Sequence, residues 1–403
     1  MKFKTVKVSD IAEVTAGGTP STKNNAYWDG DIPWITPKDL ASYQYRCITS
    51  GERNISNEGL IRSSAKLLPE NTVLLTSRAP IGYVAIAKNP ISTNQGFKNL
   101  ICDVTQVNNE FLYYFLKSNT TLLENHSSGA TFKELSASRL RNINIVIPES
   151  IDVQAKIAST LSAYDDLIEN NLKRIKLLEE AAQLLYRKWF VDFKFPGYEK
   201  TKFINDIPKG WQIKTMDDVC QSVGGGTPSI KVPQYWDNGT VTWVIPSDIT
   251  KNNCLILLDS EKKISQEGLR HSSAKMLPPD TILMTSRASV GFFGLIDKEV
   301  CTNQGFISVI PNKNYMRMYL LFNLMNRRGE ILSKAGGATY KEINKSTFRG
   351  LKILLPDEDI LKRFNPLTYE YLKQARILKK QNHRLKEARD ILLPRLMDGS
   401  IEV

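Results

Sequence analysis

Apolar positions along this chain follow two periods. Short runs of β-branched and other apolar residues, bounded by turn formers, predict strands at Thr72–Thr76, Gly82–Ala87 and Phe97–Cys102. Runs of the same kind return at Thr281–Thr285, Gly291–Ile296 and Phe306–Ile310. Each trio is followed by a short helical pattern, Glu110–Lys117 or Tyr315–Asn326, and then by a last strand ending in proline, Ile143–Pro148 or Leu351–Pro356. An amphipathic stretch, Val8–Val14 or Met216–Val223, opens each series. Each series therefore predicts a mixed α+β globule of ordinary domain size.

The second period is helical and much longer. In Ile151–Phe190 the apolar stripe runs through Ile157, Leu161, Tyr164, Ile168, Ile175, Leu178, Ala182, Leu185 and Trp189. In Ile360–Leu396 it runs through Phe364, Leu367, Tyr371, Leu378, Leu385, Leu392 and Leu396. Steps of three and four make a seam that packs along another helix, and neither helix can bury its seam alone. The two are therefore expected to pair as an antiparallel coiled coil. A helix of ~36 residues would be ~54 Å long. The expected layout is 1–150 and 193–358 as globules, with 151–192 and 359–403 as helical regions.

The chain also says nearly the same thing twice. "GGTPSTKNNAYWDGDIPW" at Gly17–Trp34 returns from Gly225 as "GGTPSIKVPQYWDNGTVTW", and "SSAKLLP" (Ser63–Pro69) as "SSAKMLP" (Ser272–Pro278). "TSRAPIG" (Thr76–Gly82) returns as "TSRASVG" (Thr285–Gly291), "TNQGF" (Thr93–Phe97) at Thr302–Phe306, and "GATFKEL" (Gly129–Leu135) as "GATYKEI" (Gly337–Ile343). The constant offset of about 208 residues means two copies of one domain, a pseudo-twofold internal repeat. A module carried twice suits a target that is itself double.

Charge narrows the target. The formal net charge of +12 over 403 residues points to a polyanionic partner, most simply nucleic acid. One turn of B-DNA is ~34–36 Å, so a rod of that length could set two readers about a turn apart. Five cysteines without a CxxC spacing read as free thiols and support no zinc site. The N-terminus lacks the apolar core of a signal peptide and no apolar run reaches membrane-spanning length, so the cytoplasm is expected. There is no GxxxxGK[ST] loop, GxSxG elbow or HExxH, and the three histidines are far apart and not repeated. Neither an S-adenosylmethionine loop nor an amino-methyltransferase signature is present. The acidic pairs Asp165/Asp166 and Asp217/Asp218 lie in helical patterns and read as solvated faces. These absences favour a non-catalytic binder over a nuclease or methyltransferase acting alone. A protein scaffold without DNA is a third reading.

The repeat supplies candidate DNA contacts. Arg78 and Arg287 sit in identical turns after a strand, where a guanidinium could reach a guanine edge or a phosphate. Asn94, Gln95, Asn303 and Gln304 could pair with adenine, or could equally tie down their loop. Thr19, Lys23, Thr227 and Lys231 suit phosphate contact, and Lys133 and Lys341 extend the set. Tyr27–Trp28 and Tyr235–Trp236 read as small-core anchors rather than stacking platforms. If the halves read different bases, divergence carries specificity. The sharpest case is Lys38, Ser42, Tyr43, Gln44, Tyr45 and Arg46 against Ser247, Lys251, Asn252, Asn253, Cys254 and Leu255. The basic residues Lys373, Arg376, Lys379, Lys380, Arg384, Lys386 and Arg389 of the second helix are expected to meet a partner or DNA.

In these motifs the chain resembles the specificity subunit of Type I restriction–modification systems over essentially its whole length. "GGTPST…YWDGDIPW", "SSAKLLP", "SRAPIG", "TNQGF" and "GATFKEL" look like that family's target-recognition domains. "VQAKIASTLSAYDDLIENN" and "LLPRLMDGSI" look like its helical regions. Val153 stands where the family usually has Glu before Gln154, and "DEDILKRFN" replaces the usual start of the second helical region. The resemblance implies a non-catalytic subunit that reads a split double-stranded DNA site, one half per domain, with the helices fixing the unread gap. It implies two methyltransferase subunits and restriction/translocase subunits as partners. S-adenosylmethionine, ATP and Mg would be bound by those partners and no cofactor by this chain.

Overall fold

The computed structural model describes residues 1–129, 133–337 and 340–403. The chain forms two compact units, Met1–Asn170 with Asn382–Val403, and Asn171–Gln381. The "GATFKEL" and "GATYKEI" motifs are therefore seen only in part, with Ala130–Phe132 and Ala338–Thr339 outside the described residues.

In the first unit a five-stranded sheet has the order Ala12–Ala16, Phe97–Cys102, Val73–Ser77, Ile81–Ala87, Cys47–Ile48. Its central strand, Val73–Ser77, is buried at every position, which is why it reads as an unbroken run rather than an alternation. A three-stranded sheet of Arg53–Ile55, Trp28–Ile35 and Ser92–Thr93 lies beside it in the chain's order, and Phe3–Lys7 pairs with Asn144–Pro148. The helix Asn109–Ser118 is capped by Asn108, whose Oδ1 accepts the Phe111 N–H at 2.9 Å. It buries Phe111, Leu112, Tyr114 and Phe115 in the core.

The second unit repeats this plan. Its four-stranded sheet runs Cys220–Gly224, Phe306–Pro311, Ile282–Thr285, Phe293–Gly294. Lys263–Ile264, Val241–Val244 and Cys301–Thr302 form its three-stranded sheet, and Gln212–Thr215 pairs with Lys352–Leu355. Even the left-handed backbone positions recur: Asp29 and Asn238, Asn71 and Asp280, Ala79 and Ala288, all with φ between 50° and 69°. The amphipathic stretch Val8–Val14 forms a 3-10 turn, Val8–Asp10, between strands Phe3–Lys7 and Ala12–Ala16. The strand expected at Gly291–Ile296 is shorter: Phe293–Gly294 pairs with Ile282–Thr285, and Leu295 bridges to Ile256 instead.

Helices Ile151–Tyr186 and Glu358–Met397 supply a pair of segments to each unit. In the first unit Ile157, Ala158 and Leu161 pack with Leu393, Leu396 and Met397. Asp165 meets Arg389, and Ile168 accepts the Asn382 Nδ2–H at 3.1 Å, so the segments run antiparallel. In the second unit Ile175, Ala182 and Tyr186 share a core with Phe364, Leu372, Ala375 and Leu378. The expected seam holds with corrections. Leu367 is exposed, and Leu361, Thr368 and Leu372 take the inner positions around it. Asp165 is buried rather than solvated; its Oδ2 accepts the Tyr114 hydroxyl at 2.7 Å and its Oδ1 an Arg389 N–H. Arg376 and Arg389 are likewise buried and paired, with Asp280 and Asp165, so they offer no charge to an outside partner.

Candidate nucleic-acid interface

In each unit the repeated segments converge through backbone and glycine contacts. Gly18 N–H donates to Thr93 O at 2.9 Å, and Gly226 N–H to Thr302 O at 2.9 Å. Trp34 Nε1 donates to Gly18 O and Trp243 Nε1 to Gly226 O, both at 2.9 Å. A Cβ on Gly17 would sit 2.1 Å from Asn94 O, and one on Gly225 2.1 Å from Asn303 O, so only glycine lets these loops touch. Across the contact Thr19 donates to Gln95 Oε1 and Thr227 to Gln304 Oε1. Two candidates from distant parts of the sequence thus become neighbours, once per unit.

The asparagines beside them take the loop-tying alternative. Asn94 Oδ1 accepts the Gly96 N–H at 2.9 Å and Asn303 Oδ1 the Gly305 N–H at 2.9 Å. Trp28 and Trp236 are anchors: each indole donates to a loop carbonyl, Ser21 O or Ser229 O, at 3.1 Å, and stands edge-on to Trp34 or Trp243. Their exposed loops carry Lys23 and Lys231 at the surface.

The arginine turns are built from the strand that precedes them. Ser77 O accepts the Leu135 N–H at 2.9 Å and Ser286 O the Ile343 N–H at 3.0 Å, which lays the "KEL" or "KEI" segment alongside the turn. Arg78 pairs with Glu134 at 3.9 Å and Arg287 with Glu342 at 3.6 Å, all four side chains between 39% and 51% exposed. Ala79 (φ 50°) and Ala288 (φ 60°) follow in the left-handed region, an unfavourable conformation for an L side chain, repeated at the same place in both copies. Lys133 and Lys341 are exposed beside them. The result in each unit is a loop surface with hydroxyl, amide, guanidinium and ammonium groups held on a rigid sheet, a donor-rich arrangement suited to phosphates and base edges.

The divergent segments do something else. Arg46, its side chain only 11% exposed, donates its backbone N–H to Glu169 Oε1 at 2.6 Å and its guanidinium to Asp166 at 2.9 Å, with Glu110 at 3.6 Å. Tyr43 donates its hydroxyl to Cys47 O at 2.6 Å and rests 5.5 Å from the Tyr45 ring. In the second unit Leu255 N–H donates to Glu179 Oε1 at 2.6 Å. Asn252 donates to Cys254 O and Ile256 O and accepts from Lys379. Arg46 and Asn252 are therefore turned toward the helices and Tyr43 toward its own loop, a correction to their reading as DNA contacts. The physical reason is local: each loop has backbone groups to satisfy and each helix offers a glutamate. Burial raises the Glu169 pKa and pushes that of Glu179 up to about 7, against the Leu255 N–H and the Lys379 ammonium. Lys38 is solvent-exposed and bonded to Glu52 at 2.7 Å, Ser247 lies in the short helix Pro246–Thr250, and Lys251 is exposed.

A family model described as the Type I restriction modification DNA specificity domain matches residues 1–180 and 208–382. The chain belongs to this family. It is 36% identical over 422 residues to the Type I restriction enzyme MjaIX specificity subunit of Methanocaldococcus jannaschii, covering 98% of this chain and 93% of that one. It is 25% identical over 360 residues to the HindI specificity subunit of Haemophilus influenzae, covering 72% and 77%. A crystal structure of the Type I system S subunit from M. genitalium has the same fold, with a TM-score of 0.62 at 16% identity over 98% of this chain and 96% of that one. The two matched stretches of the specificity domain begin at the two copies of the repeat and run on into the helices.

In this family member the residues that sequence reasoning missed are acidic. Glu134 and Glu342 were hidden inside the repeated motif by the lysine before them. Glu169 and Glu179 do not repeat and so carried no signal. Asp165 had one: it sits four residues after Leu161 and three before Ile168, on the seam. Among the described residues no group of three His, Cys, Asp or Glu side chains is placed to hold a metal, and no helix is long and apolar enough to cross a membrane.

Proposed function

We propose that this chain is a DNA-reading specificity subunit, with each unit's loop cluster on one half of a split double-stranded site. The observation that carries this is the duplicated constellation: Thr19–Gln95 beside Arg78, and Thr227–Gln304 beside Arg287, on equivalent sheets. A scaffold that met only protein would have no need of the same donor set twice in a chain of net charge +12. The chain itself does no chemistry in this reading. Two methyltransferase subunits would dock on the helices, use S-adenosylmethionine and modify an adenine in each half-site. That reaction takes the base out of the stack. Restriction/translocase subunits with ATP and Mg would complete a cytoplasmic complex.

The test is co-expression with the neighbouring methyltransferase gene in a methylation-free host, followed by genome-wide mapping of methylated adenines. A single bipartite motif with an unread gap is expected. An assembled complex that methylates nothing would overturn the modification role and leave a DNA-binding scaffold.

A further inference from the structure

We infer that Glu134 and Glu342 are discriminating residues that make the DNA contact of Arg78 and Arg287 conditional on the bases present. The inference rests on the proposed DNA-binding face and assigns it a residue type that a phosphate-binding surface should lack. A carboxylate among phosphates is repelled, yet both copies hold one against the arginine through the same backbone pairing of Arg78 with Glu134 and Arg287 with Glu342. The side-chain contacts, at 3.9 and 3.6 Å, are too long for firm hydrogen bonds. Half-exposed pairs of this kind are weak and screened by salt, so the arginine is held but not locked.

On a non-cognate duplex the arginine is already neutralised and the glutamate faces phosphate, so contact gains little. On a duplex that presents an exocyclic amino group, cytosine N4 or adenine N6, the carboxylate finds a donor and the guanidinium is freed for a guanine edge or a phosphate. The effect is to penalise binding by backbone charge alone, which is selection against the wrong partner rather than for the right one.

The copies differ in one respect that makes the inference testable. In the first unit Lys98, 7% exposed, lies 3.5 Å from Glu134 and 3.1 Å from Ser77 Oγ, so that glutamate also serves a buried ammonium. The equivalent residue in the second unit is Ile307, and Glu342 pairs with Arg287 there. Glu342→Gln is therefore the clean variant. In the first unit the matching change is Lys98→Ile with Glu134→Gln, which copies the second unit and leaves no buried charge behind.

The experiment uses the full chain co-purified with its methyltransferase subunit. Two probes are compared across salt, a 30-bp mixed-sequence duplex and the same duplex carrying the methylation-mapped motif. Glu342→Gln is expected to tighten the mixed-sequence duplex about 3–10-fold at low salt and to steepen the log–log salt slope by about 0.9, one added phosphate contact. The motif duplex should gain less, so the ratio between the two falls. In an Arg287→Ala background Glu342→Gln should do little. Unchanged affinity and slope, or equal tightening without Arg287, would overturn the inference. A wild-type complex with no salt-dependent binding to either duplex would instead overturn the DNA-binding reading itself.

Discussion

Removing Arg389 from the first unit should loosen the segment of helix that follows Asn382 far more than replacing the whole polar cluster would. Arg389 and Asp165 are 10% and 7% exposed, and Tyr114 donates to the same carboxylate at 2.7 Å. Arg389→Met leaves that carboxylate buried with one neutral donor, and breaking a buried pair in this way costs about 3–5 kcal/mol. At about 1.4 kcal/mol per tenfold, amides of residues 382–397 should exchange with solvent about a hundred- to a few-thousandfold faster. Asp165→Leu with Arg389→Met and Tyr114→Phe removes the three bonded partners together, and Phe is what the second copy has in place of Tyr114, Phe322. That triple variant should come back to within about 1 kcal/mol of wild type, because an apolar replacement of a buried pair is often neutral. Hydrogen exchange by mass spectrometry on the full chain reads both. A single variant shifted by less than about 0.5 kcal/mol, or a triple variant as loose as the single, would refute the reasoning.

Further outcomes follow from the other buried groups. Glu179 titrates near 7 in the folded second unit against an ordinary 4.5, so the folded state binds the extra proton between those values and stability falls as pH rises from about 4.5 to 7. Glu179→Gln should flatten that dependence and raise stability at pH 8 by on the order of 2 kcal/mol in urea titrations; an unchanged pH profile would contradict it. Gly226→Ala would bring a Cβ to 2.3 Å from Ser273 Oγ and 2.4 Å from Ala274 N. A cost of about 1–3 kcal/mol and loss of one half-site from the methylation map are expected, with the other half kept. Arg46→Leu should lower the yield of folded chain and leave the methylated motif as it was, whereas an altered base at one half-site would restore Arg46 as a reader.

How far the sequence could be read depends on which physical signal each element leaves. The repeat and the strands were legible because identical turns and unbroken apolar runs are local. The helical seams were legible because steps of three and four survive without knowledge of the partner. Asp165 and Arg376 were misassigned because a charge at a seam position looks solvated until its counter-charge is placed, and Asp280, the partner of Arg376, lies 96 residues away in the chain. The divergent loops misled for a related reason. Two copies of a domain differ where they read different bases, and also where they rest on different stretches of helix. Arg46 over Asp166 and Leu255 beside Glu179 are of the second kind.

The first unit is closed by residues that the ribosome makes late. Leu393, Leu396 and Met397 fill a core begun by Val8 and Ile11, and the whole second unit, Asn171–Gln381, lies between them in the chain. At 5–20 residues per second that interval is roughly 10–40 s, during which the first unit waits with an open apolar face. The second unit is one continuous stretch and can finish first. Nascent chains stalled within the second unit should therefore be the ones that chaperones hold, and release should coincide with the arrival of the final helical turns.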